Sequence, residues 1–309
     1  MGIFKKKDNI ESRNLPTTIF QNPSLRVLEG FKEDTGYSEP IVRLTKFLRE
    51  QLGLQKGDYV NIKKGDRVVR ARVEVSSAAD GTDRVVRLNR SSRELLSVQV
   101  GEEIEIIPPE TLILLLDTSG SMGDYVSGIV KINAAKNAVV EFIRSKFLMG
   151  QGDRIGIISF GEFATVIEKP SLNYEYLENR VDALVPNGAT AMYEGIKLAL
   201  DNLANAGGAK RIILLTDGVA TTTGRLAILS LARQAAAQKV VIDTIGVGSP
   251  FDFMGYDEWL LRRIAEITGG TFRRVMDVQQ LTGQFRELAQ AKNYTYLLPE
   301  NSGRESRKS

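Results

Sequence analysis

The stretch Thr111 to Met122, T-L-I-L-L-L-D-T-S-G-S-M, constrains this chain more than any other. Its first six residues read as a buried central strand. The run stops at a carboxylate, Asp117, and passes into a Gly-containing turn with two hydroxyls, Ser119 and Ser121. A second apolar run, Ile212 to Thr216, ends in Asp217. Between them lies P-N-G-A-T-A-M-Y-E-G, Pro186 to Gly195, a loop carrying Thr190 ahead of a helical pattern. Open α/β sheets bind ligands at the carboxyl ends of their strands. Three loops at one such edge would supply two carboxylates and three hydroxyls. That all-oxygen set suits a hard divalent cation, Mg²⁺ first and Mn²⁺ or Ca²⁺ as substitutes.

A chain of 309 residues leads us to expect two domains, each large enough to bury a core. Neither Cys nor His occurs. This excludes disulfides, zinc sites built on thiolate or imidazole, and catalysis by a cysteine nucleophile or a histidine base. A cytoplasmic location is expected, since a chain without Cys is compatible with a reducing compartment. The net charge of +3 is small and no dense Lys and Arg stripe appears, so no nucleic-acid partner is expected. No apolar run is long enough for a membrane span, and no signal peptide is visible. Residues 1–23, with Pro16 and Pro23, are expected to form a flexible arm. Phe4 beside Lys5, Lys6 and Lys7 reads as a solubilising tail rather than a membrane contact. Residues 293–309 are expected to be a tail. Its Tyr294, Tyr296, Leu297 and Leu298 are expected to pack on their own domain, the alternative being docking on a neighbouring copy.

Residues 24–107 are filled by short β-patterned runs: Leu25 to Leu28, Ile41 to Leu44, Tyr59 to Lys63, Val68 to Val75, Arg84 to Leu88 and Glu103 to Ile107. Thr45 to Leu52 has helical spacing. An internal echo runs through the unit at one constant offset. Val42-Arg43-Leu44 is answered by Val86-Arg87-Leu88, Arg49-Glu50 by Arg93-Glu94, and Leu52 to Val60 by Leu96 to Ile104. Two similar halves predict a small pseudo-symmetric barrel. Gly57 and Gly101 are expected at tight turns, with Asp58 and Glu102 accepting backbone hydrogen bonds. Arg43 and Arg87 are read as an ordinary solvated face. The unit resembles the amino-terminal double-psi β-barrel of the valosin-containing-protein family of AAA ATPases, through Leu25-Arg26-Val27, Asp34-Thr35-Gly36, Ile41 to Leu44, Leu52 to Asp58, Val85 to Leu88 and Val98 to Ile104. That resemblance implies a module recruiting adaptors or substrates to an ATPase ring. The ring itself is missing, because no phosphate-binding G-x-x-x-x-G-K-[ST] loop follows. A spacer or assembly module is the alternative.

Pro108-Pro109-Glu110 reads as a short stiff join. Residues 108–292 then alternate strands with helices, which predicts a doubly wound, mostly parallel α/β sheet. This half resembles the von Willebrand factor A domain, whose metal-ion-dependent adhesion site needs D-x-S-x-S, a Thr in a second loop and an Asp in a third. Asp117, Ser119 and Ser121 stand in the first loop, Thr190 in G-A-T-A-M-Y, and Asp217 in L-T-D-G. Ala134-Ala135-Lys136, Gly246-Val247-Gly248 and Ile264 to Phe272 fall in the same order. Tyr125, in Gly123 to Val130, is placed to shape the surface around the metal without touching its ligands.

These residues lead to an expected non-enzymatic, metal-dependent protein-binding or adaptor protein. Its bound Mg²⁺ would accept an Asp or Glu carboxylate of a protein partner, with a link to an AAA ATPase suggested by the barrel. A homo-oligomer-forming structural module is one alternative. A metal-dependent hydrolase is another, disfavoured because neither serine lies in G-x-S-x-G, no histidine activates one, and two-metal chemistry wants more carboxylates.

Overall fold

The computed structural model describes residues 24–81, 84–107, 109–126, 128–150, 152–248 and 255–291. The expected amino-terminal arm, Pro108 of the join and the apolar residues Tyr294 to Leu298 lie outside them.

The first unit is a closed six-stranded barrel. It is built from β1 (Ser24–Glu29), β2 (Ile41–Leu44), α1 (Lys46–Leu52), β3 (Tyr59–Lys64), β4 (Arg67–Val75), β5 (Val85–Leu88), α2 (Arg90–Leu96) and β6 (Glu103–Ile107). Around the barrel the order is β1-β5-β2-β4-β3-β6, with β6 returning antiparallel to β1. The echo is visible residue by residue. Thr45 caps α1 by accepting from the Leu48 amide, and Asn89 caps α2 by accepting from the Ser92 amide. Gly57 and Gly101 hold φ of 90° and 93°, values that favour glycine. Beside them Asp58 accepts from the Gln55 amide at 2.8 Å and Glu102 from the Gln99 amide at 2.6 Å, as the sequence leads one to expect.

Arg43 and Arg87 are not an ordinary solvated face. They stand opposite one another across antiparallel β2 and β5. Arg43 binds Asp34 and Arg87 binds Asp80 through paired hydrogen bonds, and the side chains are only 11% and 22% exposed. Both guanidinium groups also lie over Phe31, at 4.8 and 4.9 Å from its ring centre. Two like charges on neighbouring strands are tolerated because each has its own carboxylate.

The second unit holds β7 (Glu110–Asp117), β8 (Tyr125–Val126), β9 (Ile129–Val130), α3 (Lys131–Met149), β10 (Arg154–Phe160), β11 (Ala164–Ser171), α4 (Tyr174–Asp182), α5 (Met192–Leu203), β12 (Ala209–Thr216), α6 (Arg225–Ala237), β13 (Val240–Val247), α7 (Glu258–Thr268), β14 (Phe272–Val275) and α8 (Val278–Gln290). Its main sheet runs β11-β10-β7-β12-β13-β14. It is mixed: β11 is an antiparallel edge strand on an otherwise parallel sheet. Along β7 side chains alternate between faces. Leu112, Leu114 and Leu116 pack with Phe142 of α3 and Phe285 of α8, whereas Ile113 and Leu115 pack with residues of α5, α6 and α7. No helix among the described residues is long and apolar enough to cross a membrane.

A buried charge network closes the amino-terminal end of the sheet. Lys146 reaches Glu110 at 3.1 Å and Asp153 at 2.9 Å. Arg211 binds Asp243 at 2.6 Å and donates to the carbonyls of Leu288 and Ala291. Burial works to lower the pKa of the Lys146 ammonium, but Glu110 and Asp153 outweigh it and hold it above its ordinary value. Nothing in the spacing of these residues announces the network.

The barrel meets the sheet at this same end. Gly53, at φ 62°, abuts Gly207 and Gly208 ahead of β12, so closely that a Cβ on Gly53 would lie 1.8 Å from the Gly208 nitrogen. Its counterpart in the echo, Ser97, takes the same left-handed conformation at φ 51° and keeps a side chain. The pseudo-symmetry is broken where the barrel touches its neighbour.

Candidate metal centre

The carboxyl end of the central strand β7 delivers Asp117 into the interior with no exposure. One carboxylate oxygen accepts the Ser119 amide at 2.8 Å and the other accepts the Thr216 hydroxyl at 2.5 Å. Burial pushes the Asp117 carboxyl up to about 7. Its hydrogen bonds from Thr216 and Ser119 hold it down in part, and the negative charge of Asp217 raises it further.

Past Asp117 the chain turns through a short 3₁₀ segment, Gly120–Gly123. Ser119 stands at its amino-terminal cap position, yet its hydroxyl caps nothing. Val130, not a serine, precedes α3. The D-T-S-G-S hydroxyls are therefore not used as helix caps. The Ser119 and Ser121 Oγ atoms lie 3.1 Å apart, and Ser121 donates to Asp217 Oδ1 at 2.8 Å. The alternation by two residues thus puts both hydroxyls on one side of the turn. Thr190 is brought in by loop-to-loop hydrogen bonds: the Gly120 amide donates to the Gly188 carbonyl at 3.0 Å, and the Thr190 amide to Thr221 Oγ1 at 3.0 Å. A Cβ on Gly218 would sit 3.3 Å from Thr190 Oγ1 and 3.8 Å from Ser121 Oγ, so both hydroxyls face the same bare backbone. The structure therefore draws Asp117, Ser119, Ser121, Thr190 and Asp217 together at one edge.

Two further participants escape sequence reasoning. Thr216 fixes Asp117 from the neighbouring strand and also accepts the Gly218 amide. Lys131, the first residue of α3, places its Nζ 2.7 Å from Asp217 Oδ2. It is brought there by the β8–β9 hairpin and by the bond from its own amide to the Asp124 carbonyl. Its one signal in the sequence is an anomaly: a cation in the first turn of a helix opposes the helix dipole.

The donor set fits a hard divalent cation. The five candidate ligands all offer oxygen, and the negative charge of Asp217 works against ionisation of Asp117, a repulsion that a nearby positive charge relieves. Among the described residues no cluster of three or more acidic side chains has metal-holding geometry, so hydroxyls and water would complete the shell. Lys131 already places one positive charge against Asp217, so an ion held here would share that carboxylate with the ammonium.

Residues 112–219 match the family model of the von Willebrand factor type A domain. A UPF0353 protein of Mycolicibacterium paratuberculosis is 28% identical over 203 residues, covering 59% of this chain and 60% of the relative. A UPF0353 protein of Mycolicibacterium gilvum is 27% identical over 203 residues with the same coverage. The chain thus spans 60% of the length of these curated relatives. Among solved structures, a von Willebrand factor type A protein from Catenulispora acidiphila superposes with a TM-score of 0.51 at 23% identity, over 60% of this chain and 43% of that one. The von Willebrand factor domain of the type V pili tip protein Mfa5 from Porphyromonas gingivalis gives 0.50 at 16% identity, over 59% and 94%.

Proposed function

We propose that the von Willebrand factor type A domain of this chain is a divalent-metal-dependent protein-binding module. Domains of this family typically serve interaction or adhesion. Asp117, Ser119, Ser121, Thr190 and Asp217 would hold the cation, directly or through water, with Mg²⁺ the favoured ion. The bound ion supplies an open coordination position for an Asp or Glu carboxylate of a partner. The protein's own residues do the rest. Thr216 and the Ser119 amide orient Asp117, Ser121 orients Asp217, and the bare backbone of Gly218 leaves room for an approaching group. The observation that carries this reading is the meeting of two buried carboxyls and three hydroxyls from three loops at one sheet edge.

We read residues 24–107 as a domain of double-psi type joined at residues 108–109, supported by two echoed halves and by the parallel pairs β1–β5 and β2–β4 within one closed barrel. Its proposed role is to recruit a second contact, in keeping with an adaptor that serves an ATPase.

The test is titration calorimetry of Mg²⁺ into wild type and Asp117→Ala, with circular dichroism as the control for folding. Binding should vanish in the variant. Equal affinity in the two proteins would sink the assignment. Acetate added to the Mg²⁺-loaded wild type should bind, and should not bind in EDTA.

A further inference from the structure

The metal edge has a second feature that the cation does not use. Large apolar side chains from its loops stand in solvent around the site: Tyr125 is 72% exposed, Phe163 74% and Val185 69%. An apolar surface around a polar centre is what partner-binding faces present. On the β11 side, immediately beyond Thr190, this surface deepens into a groove of about 540 Å³ running between the β10–β11 turn and α5. Its walls are Phe163, Ala164 and Leu198. Its rim carries Glu162, Glu194 and Asp201 against one cation, Lys197.

The charges of this groove are uncommitted. Among the described residues the side chains of Glu162, Asp201 and Lys197 have no hydrogen-bond or ion-pair partner, and Glu194 accepts only the Thr222 hydroxyl at 3.2 Å. Three acids facing one lysine leave an excess of negative charge over an apolar floor. A long aliphatic stem ending in a positive charge matches both properties at once. The exposed ring of Phe163 adds a face that attracts a cation.

We infer that the groove receives a lysine or arginine side chain of the same partner segment whose carboxylate reaches the metal site. The partner's recognition element is then a mixed pair, an acid for the cation and a base for the groove. This rests on the metal-dependent reading for its acidic half only. The basic half stands on the groove. The arrangement discriminates against a purely acidic partner, because Glu162, Glu194 and Asp201 would repel it on this side.

The test uses the full chain, isotope-labelled for NMR, and short synthetic peptides in a Gly/Ser background. One set carries a single Asp with an Arg one, two or three residues away, a second carries Asp alone, and a third Arg alone. Each is titrated in Mg²⁺ and in EDTA. In Mg²⁺ the best Asp/Arg peptide should bind about fivefold more tightly than the Asp peptide, and should shift the amides of Phe163 and Leu198. The variant Glu162→Gln/Glu194→Gln/Asp201→Asn should lose that gain and keep its affinity for the Asp peptide. If no arginine peptide shifts the groove amides, or if the gain persists in the triple variant, the inference is overturned. Asp-peptide binding that is unchanged in EDTA would remove the cation reading instead. Groove shifts by the Arg peptide in that same buffer would still uphold the groove.

Discussion

The Lys131 ammonium lies 2.7 Å from Asp217 Oδ2, an atom on the proposed metal-facing carboxylate. On the proposed reading, a side-chain cation and a divalent ion would compete for one oxygen. Lys131→Met removes the competitor without shortening the side chain. We expect Mg²⁺ affinity to rise about tenfold, since a unit charge a few ångströms away contributes more than 1 kcal/mol in a partly screened site. Lys131→Arg should bind Mg²⁺ no better than wild type. Calorimetry on the three proteins decides it, and a weaker or unchanged Kd in Lys131→Met would show that the ammonium does not oppose the metal.

Lys146 answers two buried acids, Glu110 and Asp153. Lys146→Ala leaves both carboxylates without a counter-charge and opens space beneath α3. The expected loss is about 3–5 kcal/mol, read as a lowered midpoint in urea denaturation. A loss under about 1 kcal/mol, the size of an ordinary surface pair, would mean that water or backbone donors already satisfy those acids.

The barrel carries an acid-sensitive pair of locks. Asp34 is held below the ordinary carboxylate range of 3.8: burial opposes this, and the Arg43 and Phe31 hydrogen bonds outweigh it. Asp80 is held below the same value by Arg87 in the first place. A carboxyl depressed in the folded state stabilises fully above its unfolded value, and the contribution fades as pH falls through the folded one. Asp34→Asn/Asp80→Asn should therefore lower the denaturation midpoint at pH 6, and by less once the pH falls below 3.8. A gap of the same size in both conditions would assign the loss to packing.

Gly53 and Ser97 offer a matched comparison, because the same backbone position occurs twice in different surroundings. Gly53→Ser places a side chain where Gly208 already sits, and should cost about 1–3 kcal/mol. Hydrogen exchange should quicken across residues 205–210. Ser97→Gly should change neither quantity appreciably. If both substitutions are silent, the barrel and the sheet do not hold each other at this point.

Much of this was legible beforehand, for identifiable reasons. The β7 run and its Asp117 ending announce a buried strand that stops at an acid because apolar periodicity and a stop are both local signals. The echo of Asp58 and Glu102 fixes two turns because Gly and its neighbouring acid act within a few residues. Lys131, by contrast, acts through a hairpin that no pattern marks, since β8 and β9 are two residues each. Arg43 and Arg87 look solvated in sequence because their acids, Asp34 and Asp80, lie on neighbouring turns rather than at strand or helix spacing. The cluster around Lys146 draws on four separate elements and the loop before β10. Only closure of the sheet brings them together.

The glycine contact at Gly53 also acts as a ruler. It seats the barrel at the starting end of β12 and beside the start of β7, whereas Asp117 closes the far end of β7. The eight residues of β7 put Asp117 seven steps of extended chain from Glu110, a span of about 23 Å at the usual rise per residue. A short peptide seated on the metal edge therefore does not touch the barrel. One partner engaging both must be at least that long, or be a chain folded so that two of its surfaces stand that far apart. Reach, more than the strength of either contact, then selects which proteins gain from holding both ends.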